Sequence, residues 1–238
     1  MPVEECGNML IMFLAVYNAD RDITFFAENK DLCAKWVQYL VKYGLKPGDQ
    51  LCTDDFAGHL KNNINLAIKA TVGIASYARL LMENGEKAEG KKFRKLAETF
   101  AREISAFSAD KTHLPLTWDS GEETFSLKYN FAFDKILGLN LFESELFEKE
   151  VAYSLTKAER YGIPLDNRTA CTKSDWLMWE AYLTSDMDKK KQIIAMVDDF
   201  LRTSPNRTAF GDRYESCNGT SLYFKARTVQ GGCFILLM

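Results

Sequence analysis

Apolar residues recur at helical spacing along most of the chain. Leu32, Cys33, Trp36, Val37, Leu40 and Val41 follow the i, i+3, i+4 rule, which predicts a helix over about 29–43 with Gly44 as its stop. The same period predicts helices over about 3–17, 59–83 and 86–107. The third carries Leu66, Ala70, Gly73, Ile74 and Tyr77 on one stripe, and the fourth carries Phe93, Leu96, Ala97, Phe100 and Ile104. The segment 113–125, with Pro115, Trp118, Gly121 and Thr124, breaks the pattern and reads as a loop or short hairpin. Further helices are expected over about 130–138, 144–161 (ended by Gly162 and Pro164), from about 174, over 187–203 and over 221–237. No sustained run alternates with period 2, so no sheet of any size is expected.

Nine helices and almost no strand define an all-α chain, read as one domain over 1–238. Short turns such as Asn84-Gly85 and Ser185-Asp186 join partners, and longer polar segments join one pair to the next. Antiparallel helical hairpins at this spacing predict a solenoid or a closed ring of hairpins.

Composition narrows the function classes. Of 238 residues 47% are apolar and 26% charged, which is globular rather than disordered. Fourteen Gly and five Pro are few for a sandwich or barrel that must turn often. A net charge of -3 lacks the basic footprint of a nucleic-acid binder, and the basic stretch 87–95 is interleaved with Glu86, Glu89 and Glu98 as on a solvated helix face. The longest apolar run, 9–17, is far below the ~20 residues a bilayer requires, so no membrane partner is expected. Six cysteines without a C-x-x-C pair, and only His59 and His113, predict buried thiols rather than a zinc cluster; no cofactor and no metal ligand set is read. Ser154 and Lys157 match S-x-x-K, but no companion motif accompanies them.

Polar clusters stand at the entrances of alternate helices. Glu4-Glu5 open the first. Asp54-Asp55 and His59 open the third, Lys128 to Asn130 the fifth, and Asp166, Arg168, Lys173 and Asp175 the seventh. Alternate helices of a hairpin ring point the same way, which would gather these groups and their free N–H ends on one face. Each cluster taken alone is also explained by capping. Together they fit a pocket with two carboxylates for acid–base work and cations to hold a substrate. Trp176 would serve as an aromatic wall, or simply as core.

Several of these strings resemble a known family. Met1-Pro-Val-Glu-Glu-Cys-Gly-Asn-Met, Leu51-Cys-Thr-Asp-Asp-Phe-Ala-Gly-His, Ser126-Leu-Lys-Tyr-Asn, Gly162-Ile-Pro-Leu-Asp-Asn-Arg, Thr172-Lys-Ser-Asp-Trp and Ala226-Arg-Thr-Val-Gln-Gly-Gly are similar, in order, to motifs of the glutaminase A family. The resemblance implies an (α/α)6-type toroid of six hairpins and hydrolysis of the glutamine side-chain amide to glutamate and ammonia. It also implies a β-rich region ahead of the toroid and frequent secretion. Six hairpins need twelve helices, so the chain is expected to be the later part of such a toroid, lacking its first hairpins; a short natural protein is the alternative.

On the matched motifs, Asp55 and Asp175 are the expected catalytic pair, with Glu5 as substitute. Arg168 and Lys173 would hold the substrate carboxylate and Glu4 its amino group, with Asp54, His59, Asn130 and Trp176 as further contacts. The substrate is a small molecule, glutamine or a sugar. The alternatives are an oligosaccharide hydrolase on the same scaffold, or a partial toroid that binds without turnover.

Overall fold

The computed structural model describes residues 1–206 and 208–238. The chain is all-α apart from one small sheet. Nine α-helices occur among the described residues: α1 (Pro2–Asp20), α2 (Thr24–Glu28), α3 (Lys30–Tyr43), α4 (Ile64–Glu83), α5 (Lys87–Ser108), α6 (Phe131–Ile136), α7 (Ser144–Leu155), α8 (Ser174–Leu183) and α9 (Met187–Thr203). Strands β1 (Cys171–Lys173) and β2 (Arg213–Glu215) pair antiparallel, with Thr172 opposite Tyr214. Two 3-10 helices cover Asp55–Ala57 and Thr228–Leu237.

The chain divides into two compact units: Met1–Asp110 with Thr117–Ser120 and Phe133–Phe142, and Lys111–Leu116 with Gly121–Ala132 and Glu143–Met238. In the first unit α4 is the central helix. Seventeen of its twenty residues are buried, as a helix packed on several sides must be. It lies against α1, α3 and α5. Helix α1 brings Val3, Leu10, Ile11, Phe13 and Leu14 to this core, and α3 brings Cys33, Val37 and Leu40. The basic stretch falls on α5, whose Gly90, Ala97, Phe100 and Ile104 face inward while Lys92 pairs with Glu89 and Arg94 with Glu98.

In the second unit α8 is buried over most of its length and packs against α7, α9, β1 and the 228–237 helix. Tyr214 of β2 is fully buried, stacks on Phe200 at 3.5 Å and donates its hydroxyl proton to the Tyr161 carbonyl at 3.0 Å.

Three boundaries depart from the periodicity. Helix α4 begins at Ile64 rather than near 59, because the Asn63 side chain caps it by accepting from the Leu66 N–H at 3.1 Å. Helix α7 stops at Leu155, and the chain then turns through a Glu159–Gly162 bridge. The last element is a 3-10 helix beginning at Thr228, not an α-helix from 221. Helix α2 was not expected, nor were the two three-residue strands, which are too short to show a period. Among the described residues no helix is long and apolar enough to cross a membrane.

Candidate active site

The second unit holds a buried network of charge around the entrance of α8. Strand β1 ends in Lys173, whose extended backbone turns directly into the helix, so Asp175 falls in the first helical turn. Lys173 Nζ donates to Asp175 Oδ2 at 3.0 Å and lies 3.6 Å from Asp212 Oδ2. Asp212 sits one residue before β2 and is 0% exposed; its backbone carbonyl accepts the Ser174 N–H at 2.9 Å. Arg227 grips Asp212 with two bonds, from Nε to Oδ1 at 3.2 Å and from Nη2 to Oδ2. The result is an alternating row, Arg227, Asp212, Lys173, Asp175, whose formal charges cancel. Such pairing is what makes burial of Asp212, Lys173 and Asp175 tolerable, while Arg227, 38% exposed, brings the outermost charge from the surface.

The far oxygen of Asp175 is the exception. Asp175 Oδ1 is buried and hydrogen-bonds to nothing among the described residues. Burial pushes the Asp175 carboxyl above the usual carboxylate range, Lys173 opposes the rise, and Asp212 adds to it. The ring of Trp176 lies under the Lys173 ammonium at 4.2 Å, and Tyr129 stacks on it at 4.7 Å with planes 3° apart. The 228–237 helix covers α8 closely: a Cβ on Gly232 would stand 2.8 Å from Trp179 Nε1 and 3.0 Å from Asp175 Cβ.

A second buried network in the same unit joins Lys128, Glu150 and Glu180. Lys128 Nζ donates to the Leu114 and Ser126 carbonyls and to the Ser126 hydroxyl at 2.9, 3.0 and 2.9 Å. Glu150 accepts the Leu114 N–H at 2.7 Å, whereas neither oxygen of Glu180 hydrogen-bonds among the described residues. Burial pushes Glu150 up to about 7 and Glu180 up to about 8, and pushes Lys128 down.

In the first unit Glu4 is buried in the opening turn of α1. Its Oε1 accepts Lys69 Nζ of α4 at 2.6 Å and the Thr53 hydroxyl. Lys69 also donates to Asn8 Oδ1 at 2.8 Å. Asp54 is buried and accepts the Cys52 thiol.

The expected site residues therefore fall in two groups. Lys173, Asp175 and Trp176 meet in the second unit. Asn130, just ahead of α6, is buried there as well. Arg168 belongs to that unit and forks onto Asp166, with Nε at 3.1 and 3.0 Å from the two oxygens and Nη2 at 2.6 Å from Oδ2. Glu4 and Asp54 are buried in the first unit, where Glu5 and Asp55 are exposed and His59, 59% exposed, reaches Asp49 at 3.5 Å. Sequence reasoning missed Lys69, Asp212, Arg227, Glu150 and Glu180 as partners. Lys69 and Glu180 did leave a signal, each being a charge inside an otherwise apolar helical run. Asp212 left none, because it precedes a strand of three residues.

Comparison with known proteins follows the same lines. The chain is 34% identical over its whole length to a glutaminase A of Aspergillus oryzae, of which it covers 35%. It is 26% identical, again over its whole length, to a probable glutaminase of Arthroderma benhamiae, of which it covers 38%. The chain thus spans about a third of the length of these curated relatives. A family model described as the glutaminase A six helical-hairpin domain matches residues 1–237. With that match and the helical hairpins described above, the chain belongs to the glutaminase A six helical-hairpin domain family.

Proposed function

We propose that the chain hydrolyses the side-chain amide of L-glutamine, with Asp175 as the carboxylate that takes a proton from the attacking water. The carrying observation is the pairing at Asp175: one oxygen held by Lys173 at 3.0 Å, the other buried and without a hydrogen bond among the described residues. A carboxylate so fixed has one acceptor free for water, and a raised affinity for the proton suits a general base working near neutral pH. As the amide nitrogen leaves, the protonated carboxyl can return that proton, so that water and amide become carboxylic acid and ammonia.

Lys173 faces two carboxylates and Arg168 forks onto Asp166; of the two cations the substrate carboxylate is assigned to Arg168, whose side chain is 21% exposed against 4% for Lys173. Asp55 and Glu5 have no part in this reading. Nor does a sugar fit well here, since Tyr129 and Lys173 both lie on the ring of Trp176 that would have to stack on it.

The test is ammonia release from L-glutamine by this chain and by Asp175→Asn, beside reducing-sugar release from oligosaccharides. Ammonia release that falls at least a hundredfold in the variant supports the reading. Undiminished release in the variant removes Asp175 from the chemistry. Sugar release without ammonia turns the assignment to a glycosidase, and the absence of both overturns catalysis by this chain.

A further inference from the structure

We propose that Asp212 and Arg227 are positioning residues that hold Lys173 against a single oxygen of Asp175 and so keep the other oxygen free to work. The inference rests on the functional reading above, which uses Asp175 but asks nothing of these two. Three observations carry it. Asp212 is the second carboxylate within reach of Lys173 Nζ, at 3.6 Å against 3.0 Å for Asp175, so the ammonium is shared between the two. Arg227 forks onto Asp212 and fixes both of its oxygens, which leaves Asp212 no freedom to swing. The Asp212 carbonyl also accepts the Ser174 N–H at 2.9 Å, so the same residue fixes the backbone between Lys173 and Asp175.

Without the pair, Lys173 would carry a whole charge toward Asp175 and could bridge both of its oxygens. With it, the attraction is shared between two carboxylates. Arg227 in turn moderates Asp212. The two residues should therefore act on Asp175 with opposite sign. Asp212→Asn removes a negative neighbour and makes the Asp175 carboxyl more acidic. Arg227→Gln unmasks the charge of Asp212 and makes Asp175 less acidic. The other titratable groups facing Asp175 are Tyr214 of β2 and Cys233 of the 228–237 helix; burial raises both, so they stay neutral across the range that matters.

The experiment is carboxyl-carbon NMR titration of the full 238-residue chain labelled at aspartate. The Asp175 signal is identified by its loss in Asp175→Asn, and the titration is repeated for Asp212→Asn, Arg227→Gln and Arg227→Lys. A titration midpoint displaced downward by Asp212→Asn and upward by Arg227→Gln, with Arg227→Lys between wild type and Gln, supports the proposal. Displacements of the same sign, or none, overturn it. If a variant loses the dispersed spectrum of a folded chain, the remaining variants and the Lys replacement decide the sign. The readout needs no turnover, so failure of the glutamine assay is told apart from failure here. Where turnover is present, the acidic limb of kcat against pH should move in the same two directions while KM changes less than about threefold.

Discussion

Gly7 of α1 and Gly73 of α4 bring the two helices close together: a Cβ built on Gly73 would stand 3.1 Å from the Gly7 Cα and 3.0 Å from Leu40 Cδ1. A Cβ on Gly7 would come within 2.8 Å of Lys69 Cγ. Neither glycine has a positive φ, so neither is there for backbone freedom. Both are there for space. Glycine to alanine inside a helix ordinarily stabilises by about 0.5–1 kcal/mol. Here the Gly73 methyl would meet the Gly7 backbone as well as the Leu40 side chain, and since backbone cannot give way the sign reverses. Gly73→Ala should cost about 1–3 kcal/mol as an overpacked core. Urea denaturation checks it, and an unchanged or higher midpoint would show that α1 and α4 can part without cost.

That close approach is what lets Lys69 reach Glu4 with both almost wholly buried. The pair stabilises only as a pair. Lys69→Met leaves a buried carboxylate facing Thr53 and Asn8, and should cost about 3–5 kcal/mol. Glu4→Leu combined with Lys69→Met removes both charges, so the double variant should be more stable than Lys69→Met alone. A double-mutant cycle in denaturant settles it; purely additive losses would mean that the two groups do not interact.

The sequence made the helices legible where one face repeats, as in α3, α5 and α9. A period shows which side of a helix is buried, but not what lies against it. That is why Glu4, Lys173 and Asp175 could be picked out as polar residues at helix entrances, while Lys69 and Asp212, 65 and 39 residues away from their partners Glu4 and Lys173, could not. Alternating polar entrances suggested one shared face. Within the units most of those polar groups are already paired, in two buried networks of the second unit and one of the first. The mistaken start of α4 has a smaller cause. Asp54, Asp55 and His59 looked like entrance residues of that helix, but the true cap, Asn63, lies further on, past a 3-10 turn over Asp55–Ala57.

The cap itself gives a prediction. Asn63 Oδ1 accepts from the Leu66 N–H, and its Nδ2 donates to the Cys52 thiol sulfur at 3.4 Å. Asn63→Ala removes both bonds at a buried position and should cost at least about 1 kcal/mol. Asn63→Asp restores the acceptor for Leu66 but not the donor, and should recover part of that loss. Thermal melts of the three proteins give the order wild type, Asp, Ala; an Ala variant as stable as wild type would mean that α4 is held by packing alone.

Stability should also depend on pH in a direction set by the buried carboxyls. Asp134 is pushed up to about 6, Glu150 to about 7 and Glu180 to about 8, in each case chiefly by burial. Between the ordinary carboxylate range and these values the folded chain holds protons that the unfolded chain has released. Stability therefore falls as pH rises. The contribution is fully present below the unfolded values and is lost as pH passes through the folded ones. Several groups oppose the trend further toward acid, Glu148 and His113 among them. Glu148, although partly desolvated, is held at about 2 by Ser185, Thr184 and Lys189, so its contribution is lost only as pH falls toward 2. His113, lowered by burial, favours the folded state as pH rises, but only up to its ordinary value of 6.5. Above that point Glu150 and Glu180 lower the urea midpoint as pH rises to about 8.5, and Lys128, its ammonium pushed down by burial, works against them as pH rises toward its ordinary value of 10.5. Glu180→Gln isolates the larger effect. Both of its oxygens lack a hydrogen bond among the described residues, so the neutral amide gives up no bond of that carboxylate. The variant should come nearest to wild type at or below about pH 4.5, where Glu180 is protonated in both states, and become progressively more stable than it toward pH 8.5. A difference between the two proteins that stays constant across that range would mean that Glu180 does not change its protonation on folding.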